Sequence, residues 1–392
     1  MRPGTPGFIG DRLKAAREAR GIMTAAGLAE MVGVTRAAIS QYERGDQSPS
    51  PTILAAMSEV LNLPTHHFLH PGCVSPEPIF FRSLSTATKA MRRRAERRYE
   101  WLREICGFLQ SQVRFPQVDF PILEVPNDPN QISFDQIETA ATGARRHWGL
   151  GDGPISNITW LLENKGAVVV RADLDSNELD AFSQWPVDAD RPFIILGTNK
   201  GGTTRSRFNA MHEVAHMVLH RNVAPEAFET PATFRLMELQ AHRFAAAFLL
   251  PASTFRREVH FLSLDAFKPL KLRWRTSIST MIHRLEDLGA VAPLDSKRLW
   301  VTLSRRQWRQ HEPYDDTIEI EAPRFLRRCF ELLLSNRVVG AADLPVRLRL
   351  NARDIEELAN LPAGLLGAVG SVEEVSEPEP TVLRFPVPPE IG

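Results

Sequence analysis

Residues 207–220 read Arg207-Phe-Asn-Ala-Met-His-Glu-Val-Ala-His-Met-Val-Leu-His220. No glycine or proline interrupts the run, and Ala210, Met211, Val214, Ala215, Val218 and Leu219 recur at the spacing of a buried helical stripe. On that helix His212 and His216 stand one turn apart on the same face, close enough to hold one metal ion. Glu213 between them can take a proton from water at that ion. The pattern predicts a helix, a zinc ion (Zn2+) and hydrolytic chemistry together. The competing reading, an amphipathic helix with surface histidines, fits the apolar surroundings less well.

A catalytic zinc takes three protein ligands and keeps one position open. The next helical segment, residues 233–251, offers the third. Glu238, Ala241, Ala245 and Phe248 fall on one face and Pro251 marks the stop. The alanines allow close approach to the metal helix, and Glu238 is the charged residue on that face. A carboxylate there is costly unless it is paired or binds a metal. His242, one turn on, is the rival: it can be a ligand itself, or orient His212 or His216 from behind. His220 drifts about 40° around the helix from His216, which suits a helix-end histidine near the last carbonyls better than a third ligand. Glu226 and Glu229 read as solvated loop residues.

The spaced residues Arg207, Phe208, His212, Glu213, His216 and His220, followed by Glu238, Ala241, Phe244, Ala245, Phe248, Leu249 and Pro251, resemble the ImmA/IrrE family of metallo-endopeptidases. The resemblance runs from about Leu161 to Val291, including strand-like residues 167–171 and 191–196 and the segment 179–183. It implies that His212, His216 and Glu238 bind zinc, that Glu213 is the general base, and that the protein cleaves, or triggers cleavage of, a repressor-type DNA-binding protein. His242 departs from the Asn or Asp usual at its position, which in related zinc peptidases supports a ligand histidine. Residues 274–289 form a helix that packs beside the active site in this family. On it His283 and Arg284 are the candidates for stabilising the oxyanion, with His283 named as the catalytic one.

The N-terminus carries a second signal. Residues 11–20 read as a helix closed by Gly21, residues 28–32 with Gly33 as a short helix and tight turn, and residues 34–45 as a helix with Thr35 as N-cap. Residues 52–61 and 65–69 complete a helical bundle. Ile39, Ser40, Tyr42, Glu43 and Gly45 carry a resemblance to XRE-type (Cro/C1-like) helix-turn-helix proteins over residues 8–70. The recognition helix of such a domain enters the major groove by its N-terminal end. Ile39 and Tyr42 then face the core, and Arg36, Ala37, Ser40 and Gln41 face outward. Arg36 and Gln41 are the base-reading candidates, and Arg17 and Arg44 the phosphate contacts. Ala25 stands where the family often has Gln, and Gly27 inside the second helix costs about 1 kcal/mol relative to Ala. Residues 1–72 hold seven Lys/Arg against six Asp/Glu, so affinity for DNA must come from clustering rather than net charge.

The 392-residue chain has zero formal net charge and three isolated cysteines, Cys73, Cys106 and Cys329, so neither a disulfide framework nor a Cys-type zinc site is indicated. Without a signal peptide or long apolar run, the expectation is a cytoplasmic protein with no membrane partner. Residues 71–78 read as a hinge, and a helix follows through about Val113. Its basic run, residues 89–98, reads as a solvated face or a supporting phosphate contact. Residues 116–129 read as a proline-rich linker. Residues 324–361 are helical and hint at a second helix-turn-helix. Asp354, Glu356 and Glu357 make that a poor face for DNA, leaving a structural or dimer element. Residues 370–392 read as extended.

The expected architecture is mainly α with a small β-sheet (α+β). It comprises a helix-turn-helix bundle at 8–70, a connector helix and linker at 71–130, a zincin-like metallopeptidase domain at 131–300 and a helical C-terminal region at 301–392. The expected function is a DNA-binding, zinc-dependent endopeptidase acting as a transcriptional regulator. Its partners would be a double-stranded DNA operator, a repressor-type protein substrate and a second copy of itself, because readers of this kind use two half-sites. The competing expectation is a non-proteolytic regulator whose metallopeptidase-like domain senses a ligand or partner.

Overall fold

The computed structural model describes residues 4–72, 88–173, 180–186, 190–198, 202–228, 230–367 and 383–384. Cys73, most of the hinge at 71–78, Leu179 and almost all of the tail at 370–392 lie outside them. The described residues are mainly helical with a small mixed sheet, as the sequence predicts.

Among the described residues five helices come first: α1 (Gly10–Ala19), α2 (Ala25–Val32), α3 (Arg36–Arg44), α4 (Pro51–Leu61) and the long α5 (Lys89–Gln112), with a short 3-10 turn at Thr65–Leu69. Thr24, Thr35 and Ser50 cap α2, α3 and α4 through their hydroxyl oxygens, and Gly33 and Gly45 close α2 and α3 in the left-handed region. Gly27 has a local reason: a Cβ there would lie 3.3 Å from Ile22 and 3.4 Å from the Thr24 hydroxyl.

After β1 (Val113–Arg114) come α6 (Phe134–His147), α7 (Ile158–Asn164), β2 (Val168–Ala172), β3 (Ala181–Gln184), β4 (Phe193–Gly197), α8 (Thr203–Leu219) and α9 (Pro231–Leu249). The strand order is β2-β4-β3, with β2 parallel and β3 antiparallel to β4. Four further helices, α10 (Ala252–Glu258), α11 (Leu264–Trp274), α12 (Ile278–Asp287) and α13 (Pro293–Arg305), complete this half. Then follow α14 (Phe325–Ser335), α15 (Leu344–Leu348), α16 (Ala352–Leu358) and β5 (Leu383–Arg384), which pairs with β1.

The sheet is a wall between two hydrophobic cores. Side chains alternate across a strand. Val168, Val170, Ala172, Phe182, Phe193 and Ile195 join a core shared with α1–α5 and α14–α16. Ala167, Val169, Ala181, Ile194 and Leu196 join the core of α6–α13. Both faces are buried, which is why the strands read as short apolar runs rather than as alternation.

Two sequence expectations change here. The basic run on α5 is neither a solvated face nor a phosphate contact at its centre. Arg93 and Arg97 pair with Glu18 of α1 at 3.6 and 2.9 Å, and Arg98 pairs with Glu357 of α16 at 2.7 Å. Residues 301–392, expected as one region, divide between the cores. Residues 306–321 stay with the metallopeptidase half, where Lys271 binds Glu312 at 2.9 Å and Asp315 at 2.6 Å, and the buried Arg207 binds Glu321. The region from Phe325 to Leu366 packs into the N-terminal core. There the acids of α16 are structural: Asp354 receives both terminal nitrogens of Arg20 at 2.7 and 2.6 Å, and Glu356 accepts from the backbone of Gly364 and Leu366.

Candidate metal centre and nucleic-acid interface

The centre is built where α8 and α9 cross. Alanines at 241 and 245 leave room for α8, and both are fully buried, as is Phe248 on the same face. Across this contact, His212 Nε2 lies 3.2 Å from Glu238 Oε2, His216 Nε2 lies 3.2 Å from Glu238 Oε1, and the two Nε2 atoms are 3.1 Å apart. Tetrahedral zinc with bonds of ~2.0–2.1 Å places its ligand atoms about 3.3 Å apart, so each of these contacts has the length expected between two zinc ligands, the carboxylate presenting a different oxygen to each histidine. A further observation fits a cation. Glu238 Oε1 is buried and makes no hydrogen bond among the described residues, its contact with His216 notwithstanding. Burial raises the Glu238 carboxyl, but hydrogen bonding led by His212 outweighs it and holds the group below the ordinary carboxylate range, hence ionised.

His242 sits on the rim. Its ring packs edge-on against His212 with centroids 4.7 Å apart, and one of its nitrogens falls with His212 and Glu238 in a group whose ligand atoms all lie within 4.8 Å. The protein around its ring, and next the charge on His212, hold His242 below the ordinary imidazole range although the residue reaches solvent. The tighter triangle is the one with His216, and it suits tetrahedral zinc better than the looser group with His242.

Glu213 is buried beside these histidines, and the hydroxyl of Ser183 on β3 donates to its Oε2 at 2.6 Å. The sequence singled out the segment containing Ser183 but gave the serine no role. Two more partners were missed. The His220 ring, expected at the last carbonyls of the helix, is instead fully buried between His216 Nδ1 at 2.9 Å and Gln240 Oε1 at 2.9 Å. The signal was the His-x-x-x-His-x-x-x-His spacing along α8, which repeats at one helical turn.

His283, expected to be catalytic, is drawn elsewhere. Its side chain is 66% exposed, Nδ1 lies 3.0 Å from Glu286, and the ring rests on Trp300 at 4.5 Å between centroids. It is close enough to His242 to act on it electrostatically, yet it stands outside the ligand triangle. Arg284 is fully buried and committed to both oxygens of Glu138 and to the carbonyl of Leu250. Neither placement suits an oxyanion donor.

On α3, Ile39 and Tyr42 are core residues as predicted, Arg36 and Ala37 are exposed, and Ser40 and Gln41 are half-buried. Arg44 is exposed and paired with Asp46 at 2.7 Å, a surface contact that costs little to exchange for a phosphate. Arg17 corrects the sequence expectation. It is 4% exposed, grips both oxygens of Glu43 at 2.6 and 3.2 Å, and donates to the carbonyl of Ile22 at 2.6 Å. It ties α1 to α3 and is not available to a phosphate.

With this geometry in view, residues 162–286 match the family described as the IrrE N-terminal-like domain, a peptidase family, and residues 13–68 match the family described as helix-turn-helix. The chain joins these two domains. No curated protein matches it at a significant level. The helix-turn-helix domain accounts for α1–α4, and the metallopeptidase-like domain spans the sheet and α8 to α12, so both sets of candidate residues lie inside matched segments. Among the described residues no helix is long and apolar enough to cross a membrane.

Proposed function

We propose that this chain is a cytoplasmic DNA-binding transcriptional regulator with zinc-dependent endopeptidase activity. The observation that carries the reading is the triangle of His212, His216 and Glu238 with Glu213 buried beside it. His212, His216 and Glu238 hold the zinc, and His242 supports His212 from the rim. Zinc bound there supplies a Lewis acid that lowers the pKa of water toward ~7 and polarises a carbonyl. Glu213 takes the proton of the attacking water and passes it to the departing amine of the scissile peptide. Ser183 fixes the Glu213 carboxylate in the orientation that does this.

The substrate is a repressor-type regulator, or another copy of this chain, a reading that follows from the family resemblance. The helix-turn-helix domain delivers the peptidase to an operator, with Arg36, Ala37, Ser40 and Gln41 toward base edges and Arg44 toward phosphate, in a dimer on two half-sites.

Metal analysis by mass spectrometry tests the centre first. About one zinc per chain is expected, lost in Glu238→Ala and kept in His242→Ala. Glu213→Gln then separates enzyme from sensor. Zinc retained with cleavage and regulation both lost supports the peptidase, whereas unchanged regulation would overturn it in favour of a domain that only senses a ligand or partner.

A further inference from the structure

Behind the centre, a chain of buried polar groups runs from His216 back to the loop before α6. Gln240 is fully buried, and its Nε2 donates to the carbonyls of Pro129 at 2.7 Å and Ile132 at 3.4 Å. Two carbonyls can only accept, so they fix which end of the Gln240 amide faces them. The Oε1 is thereby turned toward His220 Nε2, 2.9 Å away. An amide oxygen accepts only, so a neutral His220 carries its proton on Nε2 and presents a bare Nδ1. That Nδ1 lies 2.9 Å from His216 Nδ1, which must then be the donor. With its proton on Nδ1, His216 has a lone pair on Nε2, directed at Glu238 Oε1 and His212 Nε2. Lone pair then faces carboxylate oxygen at 3.2 Å, an arrangement that a shared cation relieves.

We propose that Gln240 and His220 are positioning residues that set the tautomer of His216, so that its Nε2 is ready to bind metal before the metal arrives. The proposal rests on the zinc reading above. It gives a role to residues 129–132, the end of the proline-rich segment, whose backbone carbonyls anchor the relay. It also explains why a glutamine stands two residues after Glu238: Glu in its place would turn acceptor against both carbonyls, and an apolar side chain would leave His220 without direction.

The test reads the tautomer directly. Long-range proton–nitrogen correlation spectra of the zinc-free full chain, at neutral pH, distinguish Nδ1–H from Nε2–H imidazole. The wild type is expected to show His216 as Nδ1–H. Gln240→Leu and His220→Phe should shift it toward the Nε2–H form and weaken zinc binding by about 10–100-fold in competition with a chromophoric chelator. His216 found as Nε2–H in the zinc-free wild type overturns the relay whether or not either variant folds. So do folded variants that keep both the tautomer and the affinity. A wild type with the Nδ1–H tautomer but no zinc affinity would instead sink the zinc reading while leaving the relay standing.

Discussion

At the scale of single residues, the centre shows which chemistry a sequence exposes. His212, Glu213 and His216 were legible because their relation is fixed by the helical period alone, and Glu238 because one charged residue on a small-residue face needs a reason. Ser183 was not legible in its role, since its partner Glu213 comes from another element and no local pattern links strand to helix. Its hydrogen bond makes a prediction. Ser183→Ala frees one oxygen of Glu213 to rotate, so kcat should fall about 10-fold, with KM and zinc content little changed. Steady-state kinetics on a cleavable substrate, alongside metal analysis, checks this. A change confined to stability, with kcat intact, would leave Ser183 as packing only. Gln240 and His220 were hidden for a related reason: the acceptors that orient them are backbone carbonyls more than a hundred residues away from Gln240 in the chain.

At the scale of elements, capping and turn chemistry located helices well. Thr35 before α3 and Gly45 after it stand where the sequence placed them. Charges were harder, because composition gives a sign and not a partner. Arg17 looked like a phosphate contact and is a strut between α1 and α3, while the arginines of α5 looked solvated and hold α1 and α16. The difference between a strut and a reader is measurable. Arg17→Ala strands the Glu43 carboxylate and should cost about 3 kcal/mol of stability. Arg36→Ala should leave stability within about 0.5 kcal/mol and weaken operator binding by about 1–3 kcal/mol. Urea unfolding and DNA titration at fixed salt, run on both variants, separate the two roles. A stable Arg17→Ala protein with weakened DNA binding would restore Arg17 to the interface.

At the scale of the whole molecule, the two domains do not hang from a linker. The N-terminal bundle, α5 and the C-terminal helices share one core with a face of the peptidase sheet, where Tyr99 of α5 meets Phe182 and Phe193 edge-on at 6.5 and 5.4 Å. No sequence pattern announced this, because contacts between residues hundreds of positions apart leave no local period. His67 is one of the pins. Its ring is fully buried beside Trp101, and Nδ1 donates to the carbonyl of Arg349 at 2.8 Å, joining the helix-turn-helix domain to the C-terminal helices. Burial, and next the charge of Arg12, push its pKa down to about 3. An unfolded histidine titrates near ~6.5, so between these values the unfolded chain binds the extra proton and the folded one does not. The stabilisation is therefore complete above the unfolded value and is lost progressively as pH falls toward the folded one. From pH 7 to pH 5 the share due to His67 should be about 2 kcal/mol. Urea midpoints of the wild type and His67→Phe, measured at both pH values, isolate it. The wild type should lose more stability on acidification than the variant by that amount, whereas parallel losses would mean that His67 takes up its proton as readily in the folded protein as in the unfolded chain and that this junction does not sense acid.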